Sequence, residues 1–503
     1  VIFVTTHPAT IGINRERIIG EVSPMLFGSF AEHMGRCIYQ GIYDPDSPHA
    51  NAQGFRTDVL SAMRELGVSI LRYPGGNFVC TYDWKDGVGP RSKRPSRREL
   101  AWRQIEHNDF GIDEFIDFCR EVPCEPMLSV NLSTDNLRSL SELVEYCNAP
   151  AGTHWADYRI ANGHREPHEV RNWCLGNEVD GPWQIGQTDA ITYGHLAREA
   201  AKIIKRHDAK NQTILCGSSA PDLPTYPAWD STVLDIAWEQ TDFLAMHHYA
   251  TNWENDTPSF LAYGIALQQH IDTIAASIRQ TKTKKQSKHD VKIAWDEWNV
   301  WYKDRSSHAN WTTAARLCEE TYNLEDALVI AQWFNLFLRR CDVLKIACLA
   351  QIVNVIAPLK TTPSELLKET IFYPLVLFAQ HARGQALDLQ IQSPTYSTIK
   401  FGDAPLLDAA ATFDVATNKL AVFLVNRSMS DPLPVQISCE GTAIEKFDHN
   451  SQIAGRDPKA INSLAHPDTI IPHNVAAIML EGRVAKLVLP PLSFTVLSGI
   501  AKG

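Results

Sequence analysis

No run in this 503-residue sequence approaches the ~20 consecutive apolar residues of a membrane-spanning helix. The chain is also short of positive charge, with 47 Lys and Arg against 58 Asp and Glu. A net charge of −11 argues against a nucleic-acid binder, whose footprint is basic. The 11 cysteines are an odd number and form no CxxC pair. Cys174, Cys216 and Cys348 lie in apolar runs and read as reduced core thiols, which favours a reducing, cytoplasmic compartment. Secretion stays open, because the chain starts with Val and carries Asn-x-Ser/Thr at Asn131, Asn211, Asn255, Asn310 and Asn426. There is no HExxH or other tight ligand spacing, no nucleotide loop and no serine elbow, so neither a metal nor a cofactor is expected.

What is there is an ordinary globular balance, 44% hydrophobic and 21% charged, over a length that predicts two structural units. Eight apolar runs recur between amphipathic segments: MLFGSF (25–30), SILRYPGG (69–76), PMLSVNL (126–132), RNWCLGNE (171–178), TILCGSS (213–219), FLAMHHY (243–249), KIAWDEW (292–298) and LKIACLAQ (344–351). Near-continuous Ile, Leu, Val and Ala suits parallel strands covered on both faces, and helical patterns such as 113–122, 194–208 and 323–342 separate them. The pattern predicts a (β/α)8 TIM barrel over 21–383; an open doubly wound sheet is the alternative, weakened by the missing phosphate loop. After Arg383 alternating segments replace the helices, which predicts a C-terminal antiparallel β-sandwich, jelly-roll-like, over 384–503. Residues 1–20 are expected to add strands to that sandwich.

Barrel chemistry comes from the C-terminal ends of the strands. Those ends carry Glu32, Arg72 with Asn77, Asn177-Glu178, His247-His248-Tyr249, Asp296-Glu297 and Gln351. Glu178 and Glu297 are about 120 residues apart, roughly three βα units, which sets them across one barrel mouth. Two carboxyls facing one site are what glycosidic bond cleavage needs: one protonates the leaving oxygen, the other attacks or activates water. His33 and His247–His248 read as hydrogen-bonding residues rather than metal ligands. Trp102, Trp183 and Trp301 are candidates for a sugar platform or for rim and core positions. The stretch 91–100 reads as a solvated loop over the cleft, and 281–290 as an exposed helix end.

FGSFAEHMGR, LRYPGGNF, WCLGNEVDGPWQIG, MHHY, WDEWNVWY and ACLAQIVNVIAP, in this order, resemble the α-L-arabinofuranosidases of glycoside hydrolase family 51. The resemblance spans essentially the whole chain. It implies a retaining, exo-acting enzyme with Glu178 as acid/base and Glu297 as nucleophile, and no cofactor. It further implies that Glu32, Asn77, Asn177, Tyr249 and Gln351 hold the arabinofuranose, while Arg72 supports the nucleophile. The implied substrates are arabinoxylan, arabinan and their oligosaccharides, with neither nucleic acid nor membrane as partner. Homo-oligomers, frequently hexamers, are the implied assembly. Competing readings are another retaining hydrolase, such as a β-xylosidase or endoglucanase, and a sugar-binding protein without catalysis.

Overall fold

A parallel strand buried on both faces cannot end a sheet in water; eight of them satisfy each other by closing. The computed structural model, which describes residues 8–302, 310–440, 443–475 and 478–502, has such a closed barrel. Its strands are Gly28–Phe30, Ile70–Tyr73, Glu125–Ser129, Asn172–Leu175, Gln212–Leu215, Phe243–Ala250, Lys292–Val300 and Leu344–Ala350. Each pairs in parallel with the next, and the eighth returns to the first through Cys348 opposite Gly28. All eight fall within or overlap the runs read from the sequence.

Between the strands the helical period takes over. Asp189 caps Ala190–His207 by accepting from the Ile191 and Thr192 amides, satisfying two donors the helix cannot. Leu324–Arg339 starts with a reciprocal cap between Asn323 and Asp326 and is buried along almost its whole length. That burial follows from its position: Trp295 and Trp298 of barrel strand seven pack against Trp333 and Phe337 on its inner side. Residues 409 and 408 meet Arg339 on its outer side.

Outside the barrel, and apart from three two-stranded ribbons, the described strands form a seven-stranded and a five-stranded sheet over a second core that includes Ile11, Leu424, Val435, Ile437 and Leu487. Ile18–Glu21 pairs antiparallel with Gln385–Leu387. Ala9–Asn14 pairs antiparallel with Gln390–Gln392 but parallel with Leu433–Glu440, so this face is not purely antiparallel. Residues 1–7 lie outside the described residues. Helix Phe372–His381 is the seam between the two cores: Phe378 stacks on Phe334 of the barrel layer and on Phe423 and Phe494 of the seven-stranded sheet.

Candidate active site

Strict alternation along barrel strand seven would send only one of Asp296 and Glu297 into the barrel. The strand register shifts between Trp295 and Trp298. Both tryptophans pack outward on the helix layer, and both carboxylates turn inward, the re-aiming that a bulge performs. Glu297 Oε1 accepts from Arg72 Nη1 at 2.6 Å and Oε2 from the Tyr249 hydroxyl at 2.9 Å. Asp296 lies deeper, 3.4 Å from Arg72 Nε and 3.3 Å from His247 Nε2.

Glu178 comes from the turn after barrel strand four. Gly176 there has φ +91° and Glu178 itself φ +46°, a left-handed conformation that costs a non-glycine residue about 1–3 kcal/mol. The turn aims its carboxyl across the mouth. Oε2 accepts from Trp183 Nε1 at 2.7 Å, and Oε1 lies 3.1 Å from His247 Nδ1. His247 Nδ1 is also 3.5 Å from Glu297 Oε2, so one imidazole touches both glutamates. Donor oxygens of Glu178 and Glu297 approach within 4.8 Å. Carboxyls of retaining glycosidases are about 5–5.5 Å apart, and those of inverting ones about 6.5–9.5 Å.

The opposite wall is built on Glu32. Its Oε1 accepts from the Phe78 amide at 2.9 Å and Trp102 Nε1 at 3.0 Å, and Oε2 from Gln351 Nε2 at 3.1 Å. A Cβ on Gly76 would sit 2.4 Å from Glu32 Oε2, and φ there is +28°, so this position requires glycine. Gln351 Oε1 is buried without a protein partner, an acceptor left for a ligand hydroxyl. Glu32, Asn77, Glu178, Tyr249, Glu297 and Gln351 all line one slot, closed further by Trp102 and Trp301. Arg72 and Asn177 lie behind it. Asn177 Oδ1 accepts from Arg72 Nη2 at 2.7 Å and its Nδ2 donates to Asn77 Oδ1 at 3.2 Å, which leaves one amide hydrogen over.

The charges follow from this packing. Burial, ahead of the nearby Glu297, raises the Glu178 carboxyl above the ordinary range, while His247 pulls the other way. Desolvation is the larger cause and the like charge of Glu297 the smaller. Burial also pushes Glu32 up to about 8, against the amide of Phe78. For His247 burial opposes the charge, but Glu297 and Asp296 outweigh it and push it up to about 10. Asp296 is held low despite its burial, by Arg72 and then His247.

Other expectations fare differently. Cys174, Cys216 and Cys348 are buried free thiols. Trp183 is half exposed at the rim, Trp102 is tied to Glu32, and Trp301 meets Tyr249 edge-on at 5.0 Å. Most of the stretch 91–100 is exposed, as expected, with Arg94 and Glu99 drawn in. Arg94 is bonded to Glu114, Arg97 to Asp86, and Glu99 is buried, accepting from the Ala101 and Trp102 amides at 2.6 and 2.7 Å. Nothing in RSKRPSRREL marks Glu99, since its burial depends on the turn that follows. His33 bonds Glu106 and Tyr73, and His248 bonds His270 and Tyr263. Two clusters among the described residues have metal-type spacing, Asp113/His164/His168 and Glu178/His247/Glu297, and in both the donors already bond one another.

The comparisons with known proteins agree with this geometry. Residues 62–263 match the α-L-arabinofuranosidase 1 domain and residues 296–493 the α-L-arabinofuranosidase C-terminal domain. An intracellular exo-α-(1→5)-L-arabinofuranosidase of Streptomyces lividans is 41% identical over 483 residues, 95% of this chain and 73% of that protein. An exo-α-(1→6)-L-arabinofuranosidase of Bifidobacterium longum is 39% identical over 494 residues, 95% and 94% of the two chains. The solved structure of a family 51 α-L-arabinofuranosidase from Bifidobacterium longum superposes with a TM-score of 0.95 at 37% identity, covering 98% of this chain and 100% of that one. By sequence, fold and paired carboxyls, the chain belongs to the α-L-arabinofuranosidases of glycoside hydrolase family 51.

Proposed function

We propose that Glu297 is the nucleophile and Glu178 the acid/base with which this retaining, exo-acting α-L-arabinofuranosidase removes terminal arabinofuranosyl residues. The observation that carries it is that one oxygen of Glu178 and one of Glu297 lie within 4.8 Å of each other, nearer the ~5–5.5 Å carboxyl spacing of retaining enzymes than the ~6.5–9.5 Å of inverting ones. Arg72 and Tyr249 donate to Glu297 and favour the anion that attacks the anomeric carbon. Burial keeps the proton on Glu178, which passes it to the leaving oxygen as that bond breaks. The Glu297 ester is uncharged, so Glu178 ionises more readily and takes a proton from the water that attacks next. Two inversions at one carbon give net retention.

Glu32, Asn77, Asn177, Tyr249 and Gln351 are proposed to hold the sugar. Glu32, neutral near pH 7, can donate its proton to a sugar hydroxyl while accepting from three N–H groups. The substrate is an arabinose-containing oligo- or polysaccharide. Relatives of similar identity are named for different linkages, (1→5) and (1→6), so overall likeness does not select one. The name of the Streptomyces relative, intracellular, supports a cytoplasmic location here. The same reading includes a homo-oligomer, with a hexamer as the form the resemblance implies. It also includes a division into a barrel over 21–383 and a sandwich over 384–503 joined by strands from 1–20, supported by the pairings of Ala9–Asn14 and Ile18–Glu21.

Azide rescue tests the roles. Glu178→Ala should cleave a 2,4-dinitrophenyl arabinofuranoside slowly, and azide should restore turnover with an α-configured glycosyl azide. Glu297→Ala should lose at least ~10³ in kcat and yield no α-azide. An α-azide from Glu297→Ala, or inverted arabinose from the wild type by NMR, refutes the assignment.

A further inference from the structure

Asp113 and Asp117, four residues apart, share one face of helix Ile112–Glu121. His164 and His168 lie on the segment that leads from helix His154–Ala161 to barrel strand four. In the chain the two pairs are 47 to 55 residues apart, and no metal is expected from the sequence; folding sets them against each other. None of the four lines the catalytic slot.

One ligand atom from each of Asp113, His164 and His168 lies within 4.8 Å of the other two. His168 Nε2 is 2.9 Å from Asp113 Oδ1, and His164 Nδ1 is 3.7 Å from the same oxygen. An ion held tetrahedrally at about 2.0–2.1 Å keeps neighbouring donors about 3.3 Å apart, and the two distances bracket that spacing. The far sides of two of these groups are already engaged. His164 Nε2 donates to Asp117 Oδ1 at 3.2 Å, and Asp113 Oδ2 accepts from the Tyr146 hydroxyl at 2.7 Å. A carboxylate on Nε2 keeps the proton there and leaves the lone pair on Nδ1, as metal-bound imidazoles are held. His164 Nδ1 is shielded from solvent and has no hydrogen-bond partner. A nitrogen lone pair facing a carboxylate oxygen is satisfied by a cation between them. The backbone is fixed as well: Arg159 Nε donates to the His164 carbonyl at 3.1 Å, and Arg120 Nη2 to that of His168 at 2.7 Å. The His164 and Asp117 side chains are 24% and 36% exposed, against 3% and 6% for His168 and Asp113, so the cluster opens to solvent on one side.

We propose that Asp113 Oδ1, His164 Nδ1 and His168 Nε2 bind a divalent cation of the zinc class, with Asp117 and Tyr146 orienting the ligands. Two imidazoles and one carboxylate suit zinc; magnesium and calcium take oxygen. The ion replaces the Asp113–His168 contact and ties the helix to the segment before barrel strand four. Its effect falls on stability, because none of its ligands reaches the slot.

The test starts from full-length protein dialysed against a chelator and then against metal-free buffer. Zinc chloride is titrated in by calorimetry, and melting is followed across the titration, for wild type, His164→Gln, Asp117→Asn and Glu297→Gln. One zinc per chain is expected in wild type and in Glu297→Gln, with a melting temperature that climbs with zinc concentration. Affinity falls at least ~100-fold in His164→Gln and about 10–100-fold in Asp117→Asn, the usual cost of losing an orienting partner. Asp117→Asn, on the exposed side, carries the test if His164→Gln does not fold. No zinc bound by wild type, or wild-type affinity in His164→Gln and Asp117→Asn, overturns the site. So does loss of binding in Glu297→Gln, which places the ion in the slot with Glu178 and His247.

Discussion

Because the His247 imidazole sits 3.1 Å from Glu178 Oε1, replacing it should move the basic limb of the pH–rate profile. That limb of kcat/KM reports loss of the proton from Glu178. Burial raises the Glu178 carboxyl and His247, a cation, holds it down. His247→Gln removes the opposing charge, so the basic limb should shift to higher pH. A positioned general acid is worth ~10²–10⁴ in rate, and Glu178 loses its orientation but not its carboxyl, so the maximum should fall about 10–100-fold. The assay is the initial rate on 4-nitrophenyl α-L-arabinofuranoside from pH 4 to 9.5. A basic limb that stays in place, or moves to lower pH, would refute the account of His247 as the cation that restrains Glu178.

Gly76→Ala should raise KM and lower the melting temperature, since its methyl would displace the Glu32 carboxylate; about 1–3 kcal/mol is the usual scale of such overpacking, read by thermal unfolding. Glu99 carries a pH signature. Burial pushes it up to about 7, so folding favours its protonated form; that stability is complete below the unfolded value near 4.3 and is lost as pH rises through 7. Glu99→Gln should therefore gain on wild type by up to ~3 kcal/mol between pH 4.5 and 8, and a pH-independent difference in melting would contradict this. Phe378→Ala should cost about 3–5 kcal/mol by removing the ring stacked between the two cores, and calorimetry should show the sheet domain melting apart from the barrel.

Much of the site was legible because barrel strands announce themselves. Runs such as WCLGNE and KIAWDEW are too apolar to be anything but buried, and the polar residues that end them have one place to go. What was hidden depends on packing between segments far apart in the chain. In HHY, His247 and His248 are chemically identical on paper. In the fold His247 bridges Glu178 and Glu297, while His248 faces the outer layer with His270 and Trp295. Glu99 and Trp102, in a stretch crowded with arginines, gave no sign that they brace Glu32.

The sequence by itself determined the barrel, the order of its strands and the two carboxyls at its mouth, because hydrophobic periodicity and strand-end chemistry are local properties. Only the tertiary structure decided that Asp296 and Glu297 both turn inward, since that takes a register shift against strands on either side. It also decided which groups hold protons. Proton affinity in this site is set by burial and by charges 3–4 Å away, and those neighbours come from strands that the chain brings together only when the barrel closes.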